Sequence, residues 1–273
     1  RGALSFGAAL AAVSFPCARG RRHAAGRRIR EVFGPGVARS EVRRMAWRSW
    51  LNMFFSGVEM LRMPKARPPW VYTVMAGDEL LSVLTERVRT RRGAIVALPH
   101  MGAWELAAVF VRTHDVPLFT IAADQRNQRV SRYINNLRAA SGMDVLVRGR
   151  GAARETVRRL RRGDILAVLP DLRQRTPGIV IPFLGGRANV AEGPAAMAHM
   201  AGVPILPCYV TRDGWTAHRI HALPAIRPHS AAKRADDVSR MTRELFAAMD
   251  RAIRRHPDQW FWYNKRWVLD PPP

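Results

Sequence analysis

Ala94-Ile95-Val96-Ala97-Leu98-Pro99-His100-Met101-Gly102-Ala103-Trp104-Glu105 is the stretch that decides the fold. Its first five residues form an unbroken apolar run, the pattern of a strand covered on both faces. A helix is expected from about Gly102, running through Trp104–Arg112. The same beat recurs along the chain. Short apolar runs at Gly93–Leu98, Pro117–Ala122, Met143–Val147, Asp164–Leu169, Gly178–Phe183 and Pro204–Val210 alternate with helical stretches at Trp104–Arg112, Gln125–Ala140, Ala152–Arg161 and Pro194–Ala201. This alternation predicts an α/β fold with a mostly parallel sheet flanked by helices. Ala217–Leu223 reads as an extra strand at an edge and Ala235–Arg255 as a long closing helix. Upstream, residues 40–63 read as a helix capped by Ser40, with Met45, Trp47, Trp50, Leu51, Phe54, Phe55, Val58 and Leu61 at near-helical spacing and prolines 64, 68 and 69 ending it. Asp78–Thr90 reads as a second helix.

In open α/β sheets, ligands sit beyond the carboxyl ends of the strands. His100 follows one such end, and Asp171 follows another in Ile165-Leu166-Ala167-Val168-Leu169-Pro170-Asp171. The two converge if their strands are parallel neighbours. On a single continuous helix, His100 and Glu105 would point to different faces, at about 100° per residue. With His100 on the loop and Glu105 in the first helical turn, the carboxylate can fold back toward the imidazole. Such a pair suits a general base acting on a hydroxyl. The bland alternative is a strand-end histidine beside a glutamate that complements a helix dipole. No His-Glu-x-x-His occurs, and the two cysteines, Cys17 and Cys208, have neither metal nor disulfide spacing. No metal and no cofactor are expected.

The chain has 273 residues, 48% of them hydrophobic, enough for one sizeable core. Forty-five Lys and Arg against 21 Asp and Glu give a net charge of +24. Such a surface attracts polyanions: nucleic acid, anionic lipid headgroups or an acidic carrier protein. An arginine-rich genome accounts for part of the excess. The basic residues are spread along the chain and form no nucleic-acid module, so nucleic acid is not the expected partner.

Arg1 rather than methionine opens the chain, which leaves a preceding segment open. Ala3–Pro16 is apolar and is followed by Arg19, Arg21, Arg22, Arg27, Arg28 and Arg30. At roughly 14 residues this stretch is short for a spanning helix, which needs about 20. It fits the tail of a membrane anchor or an interfacial segment with a basic flank. A buried first helix is the alternative. A signal peptide would carry its charge before the apolar run. The chain is therefore read as a membrane-associated segment over residues 1–39 and a catalytic-type domain over residues 40–273, with the basic side in the cytoplasm.

Pro99-His100-Met101-Gly102-Ala103-Trp104-Glu105-Leu106 resembles the His-x4-(Asp/Glu) block of lysophospholipid acyltransferases. More narrowly, it is similar to the bacterial late acyltransferases of lipid A biosynthesis, a family that includes the acyltransferases of phosphatidylinositol mannosides. Further blocks keep that family's order: Leu137-Arg138 with Gly142, Arg158–Asp164 leading into Leu169-Pro170-Asp171, Gly178–Gly185 with Gly193-Pro194-Ala195, and Ala201–Pro207. The ending, Gln259-Trp260-Phe261-Trp262-Tyr263-Asn264-Lys265-Arg266-Trp267, resembles its aromatic and basic tail. The chain departs from the family at Ile121–Gln125, which lacks an arginine, at Leu184 and at Glu192.

The resemblance implies transfer of a fatty acyl chain from an acyl carrier protein or CoA thioester to a hydroxyl of a glycolipid, lipid A precursor or phospholipid. The expected place is the cytoplasmic face of the inner membrane, against its anionic surface. His100 would act as base and Glu105 would orient its imidazole. Backbone N–H groups near Gly102, or an arginine, are candidate oxyanion donors. Arg138, Arg150, Asp171, Arg173 and Arg187 are candidate substrate-binding residues, with Arg138 on a headgroup or the oxyanion and Asp171 fixing Arg173 or another arginine. The aromatic tail reads equally as an interfacial belt or a packed clamp. The rival readings are an inactive lipid-binding scaffold of the same fold, a thioesterase and, least of all, a nucleic-acid binder.

Overall fold

The computed structural model describes residues 2–122, 127–149, 151–174, 178–265 and 267–270. Three helices lead: α1 (Gly2–Cys17), α2 (Arg19–Phe33) and α3 (Arg39–Arg62). α1 and α2 meet at 90°, and both pack on α3. Gly7 of α1 sits where a Cβ would come within 3.0 Å of Val58 on α3, so the small residue permits the crossing. Ala11, Ala25, Ile29 and Val32 join the same buried cluster as Met45 and Trp50. Among the described residues, no single helix is long and apolar enough to cross a membrane; α1 and α2 pass that test only as a bent pair.

The short α4 (Trp70–Val74), β1 (Met75–Ala76) and α5 (Asp78–Arg89) lead into β2 (Ala94–Ala97), all four residues of which are buried. Then follow α6 (Trp104–Arg112), β3 (Leu118–Ala122), α7 (Gln128–Ala140), β4 (Asp144–Val147), α8 (Ala152–Arg161) and β5 (Ile165–Val168). Asn127 caps α7, its side-chain oxygen accepting from the N–H groups of Arg129 and Val130. After β6 (Ile179–Phe183), β7 (Gly186–Val190) and α9 (Gly193–Ala201) come β8 (Ile205–Asp213), β9 (Ala217–Ala222) and α10 (Arg234–Arg255).

Seven strands form one sheet in the order β1-β9-β8-β2-β5-β3-β4. The run β8-β2-β5-β3-β4 is wholly parallel, as the alternation predicts. Two details differ from the sequence reading. Ala217–Ala222 is not the edge, because the two-residue β1 pairs with it on the outside. Gly178–Phe183 does not enter the main sheet; β6 and β7 form a separate antiparallel hairpin. Its turn, Leu184-Gly185, has φ of +51° and +82°, the left-handed pair that a two-residue hairpin turn demands. Periodicity reports a buried strand but not which sheet receives it.

Candidate active site

β2 and β5 lie side by side and parallel, with Ala97 opposite Val168 and the Leu98 N–H on the Val168 carbonyl at 3.1 Å. Their carboxyl ends therefore deliver His100 and Asp171 to one place. The His100 backbone N–H donates to Asp171 Oδ2 at 2.8 Å, and His100 Nδ1 lies 2.6 Å from Asp171 Oδ1. Trp260 Nε1–H donates to the same Oδ2 at 2.8 Å. An ionised carboxylate only accepts, so Nδ1 carries the proton and Nε2 is left as the proton acceptor. The Asp171 side chain is 1% exposed and that of His100 22%, a fixed carboxylate behind a reachable ring.

Electrostatics follow from that pairing. Burial alone would push the imidazole pKa down. The charge and hydrogen bond of Asp171, with the charge of Glu105 behind them, outweigh burial and lift it above its ordinary value, while Arg138 opposes. Burial would raise the Asp171 carboxyl; the His100 ring, the Trp260 indole and the His100 N–H hold it below the usual range.

The carboxylate that meets the His100 ring is not Glu105. The carboxylate hydrogen-bonded to the imidazole is Asp171, whereas Glu105 is bonded to Arg138, whose Nε donates at 3.2 Å and whose Nη2 makes a second, closer contact. The helix carries the Glu105 side chain onto α7 instead of back to the loop. Arg138 is thus tied to Glu105, and Asp171 to His100. Arg173 is half-buried, two residues beyond Asp171, and Arg187 is exposed on β7 opposite Pro182. Arg150, Ala123–Gln125, Arg175 and Arg266 lie outside the described residues.

Gly102 also behaves differently from expectation. Its φ is +56°, and a Cβ there would lie 2.5 Å from the Val210 carbonyl oxygen. Its N–H donates to the Gln259 carbonyl at 3.3 Å, and the Met101 N–H to that of Pro99 at 2.7 Å, so neither is free to meet an oxyanion.

The tail is a packed clamp. Trp260, Trp262, Tyr263 and Trp267 are all buried, with Trp260 and Trp262 edge-on at 4.9 Å. The Phe261 N–H donates to the His100 carbonyl at 3.2 Å, and Met101 bridges Trp260. Ser49 Oγ of α3 donates to the Trp260 carbonyl at 2.6 Å, and Ser56 Oγ to the Gly102 carbonyl at 2.9 Å. Arg28 of α2 donates to the carbonyls of Trp262 and Asn264 at 2.8 and 2.7 Å. These supports were not foreseen, because each joins residues far apart in sequence.

Beside this pair runs an apolar slot under α6. It is lined by Leu80, Leu84, Leu98, Val111, Leu118 and Met143 among others, and Trp104, Glu105, Thr120, Arg138 and Cys208 are its lining residues with polar side-chain groups. Its cavity volume is only about 60 Å³, so it is narrow. The His100 and Trp104 rings meet edge-on at 5.3 Å, which sets the imidazole against a residue of the slot. Among the described residues no group of three His, Cys, Asp or Glu could hold a metal ion.

The phosphatidylinositol mannoside acyltransferase of Mycolicibacterium smegmatis (strain ATCC 700084 / mc(2)155) is 25% identical to the chain over 184 residues, which are 66% of this chain and 58% of that protein. The protein of the same name in Mycobacterium tuberculosis (strain CDC 1551 / Oshkosh) is 25% identical over 183 residues, 65% of this chain and 55% of that one. The chain spans little more than half the length of these curated relatives. The family described as bacterial lipid A biosynthesis acyltransferase matches residues 2–268. With that match running over nearly its whole length, the chain belongs to the bacterial lipid A biosynthesis acyltransferase family.

Proposed function

We propose that the protein is an O-acyltransferase that moves a fatty acyl chain from an acyl carrier protein or CoA thioester to a hydroxyl of a glycolipid or phospholipid. The observation that carries this reading is the 2.6 Å contact between His100 Nδ1 and buried Asp171, beside a narrow apolar slot. His100 Nε2 takes the acceptor's hydroxyl proton as its oxygen attacks the thioester carbonyl. Asp171 fixes the tautomer and stabilises the imidazolium that forms. The tetrahedral intermediate then collapses: the C–S bond breaks, and the leaving sulfur takes the proton back from the imidazolium as a thiol. The Glu105–Arg138 pair keeps an arginine beside the site, where it serves an anionic headgroup or the developing oxyanion.

The slot accepts the acyl chain by parting its apolar walls. The family description and the relatives' names support a glycolipid acceptor, a lipid A precursor or a mannosylated phosphatidylinositol. The place of action is the cytoplasmic face of the inner membrane, a reading supported by α1. It leaves Phe6, Leu10 and Val13 exposed on one helix, ahead of the arginines of α2.

The test is transfer of a labelled acyl group from thioester to extracted lipid by the full chain. His100→Ala should lower the rate by about 10² or more. Near-native turnover in that variant would refute the base assignment. Release of free fatty acid with no acylated lipid would mark the chain as a hydrolase instead.

A further inference from the structure

At the opposite end of the sheet from His100, five arginines face one pocket of about 430 Å³. Arg87, Arg91, Arg92, Arg161 and Arg227 line it together with Gly93, Leu160, the segment Ala201–Pro204 and Pro228. Gly93 and Pro204 stand just before β2 and β8, so the pocket lies at the amino ends of the strands whose other ends make the catalytic region. No carboxylate lines it. The nearest acidic neighbours in sequence are engaged elsewhere, Glu86 with Arg89 and Asp164 with Arg159 and Arg162.

How these guanidiniums are held matters more than their number. Arg87 donates to the Gly93 carbonyl from Nε at 2.9 Å and from Nη2 at 2.7 Å, and Arg161 Nη2 donates to the Met200 carbonyl at 2.7 Å. Neutral carbonyls fix their geometry without cancelling their charge. α5, α8 and α9 all end here, and three helix carboxyl termini supply about −1.5 charges. Against five arginines, roughly three and a half positive charges remain uncompensated. Burial, then the charges of Arg227 and Arg92, depress the pKa of Arg87, as expected of a crowded cationic cluster.

We infer that this pocket binds an anion carrying two phosphate groups. Each phosphoryl group brings about −1.5 to −2 charges at neutral pH, so two match the excess, and guanidinium forks suit phosphate oxygens. Such a group belongs either to a soluble diphosphate or to a phosphorylated lipid headgroup. The pocket is separated from His100 by the length of β2, and its lining shares no residue with the His100–Asp171 pair or the apolar slot.

Inorganic pyrophosphate titrated into the full chain by calorimetry should show saturable binding. Arg92→Ala with Arg227→Ala should weaken it tenfold or more. Arg243→Ala with Arg251→Ala, an equal loss of charge on exposed positions of α10, should leave it within twofold. Hydrogen exchange on the unmodified protein should slow at residues 91–93 when pyrophosphate is added, a readout independent of how the variants fold. Vesicles containing phosphatidylinositol monophosphate, whose headgroup carries two phosphate groups, would identify a headgroup site if they displace pyrophosphate, and a site for soluble diphosphate if they bind without displacing it. Absence of saturable binding, or equal weakening by both double variants, would overturn the proposal.

Discussion

At the scale of single residues, the proposed mechanism divides the work between His100 as proton acceptor and Asp171 as fixed counter-charge. Asp171→Asn keeps the shape but replaces the carboxylate that stabilises the imidazolium, and it should cut acyl transfer by about 10²–10⁴, measured as initial rate. Glu105 acts on the ring only through its charge. Its neighbour Asp171 and its own carboxylate both raise the His100 pKa, so the acid limb of the rate profile should lie above the ordinary imidazole value of about 6.5. The base is neutral above that limb, so activity falls as pH drops through it. Glu105→Gln should move the limb to lower pH and leave the alkaline plateau less affected than Asp171→Asn does; an unmoved limb would exclude the charge effect. The histidine, the glutamate and the aspartate were each legible as strand-end or helix-start residues. Which carboxylate meets the ring was not, because spacing along the chain favoured Glu105 while strand order, invisible in one sequence, brings in Asp171.

At the scale of elements, the C-terminal clamp and the amino-terminal helices converge on the His100 loop. Trp260 holds Asp171 through its indole N–H, and Arg28 holds the clamp through two carbonyls. Arg28→Ala removes two charge-assisted hydrogen bonds and should cost about 2–4 kcal/mol of stability, read from the denaturant midpoint. The start of α10 gives a pH-dependent case. Asp237, fully buried, accepts from His199, the His229 N–H and Arg240. Burial opposes ionisation, but those bonds draw its pKa down to about 2. A folded-state pKa below the ordinary value of 3.8 means stability that is complete above about pH 4 and lost as pH falls toward 2. Asp237→Asn should be less stable at neutral pH, by about 1–3 kcal/mol, and its stability should fall less steeply over that acid range. The sequence reading made the elements from α5 to α10 legible to within a few residues, β7 excepted, whereas α2 and α4 were not foreseen. The β6–β7 hairpin and the edge strand β1 were not, since one needs its partner strand and the other is two residues long.

At the scale of the whole molecule, charge and shape bear on where the protein works. A net charge of +24 draws it to any anionic surface, but that attraction is general and salt-sensitive. The Debye length falls from about 10 Å at 0.1 M salt to 3 Å at 1 M, so a purely electrostatic attachment should vanish between those conditions. The apolar face of α1 adds a component that salt does not screen: Phe6 is 65% and Val13 73% exposed, while Leu4, Gly7 and Ala11 on the other side pack inward. Because the exposed side chains do not share the core contacts of Leu4 and Ala11, they can be changed without unpacking α1 from α3. Sedimentation with vesicles of phosphatidylcholine and phosphatidylglycerol separates the two contributions. The unmodified chain should remain partly bound at 1 M salt, whereas Phe6→Ser with Val13→Ser should bind at 0.1 M and be released at 1 M. Full release of both proteins at high salt would show that charge alone holds the chain to the bilayer, and that the exposed face of α1 serves some other contact.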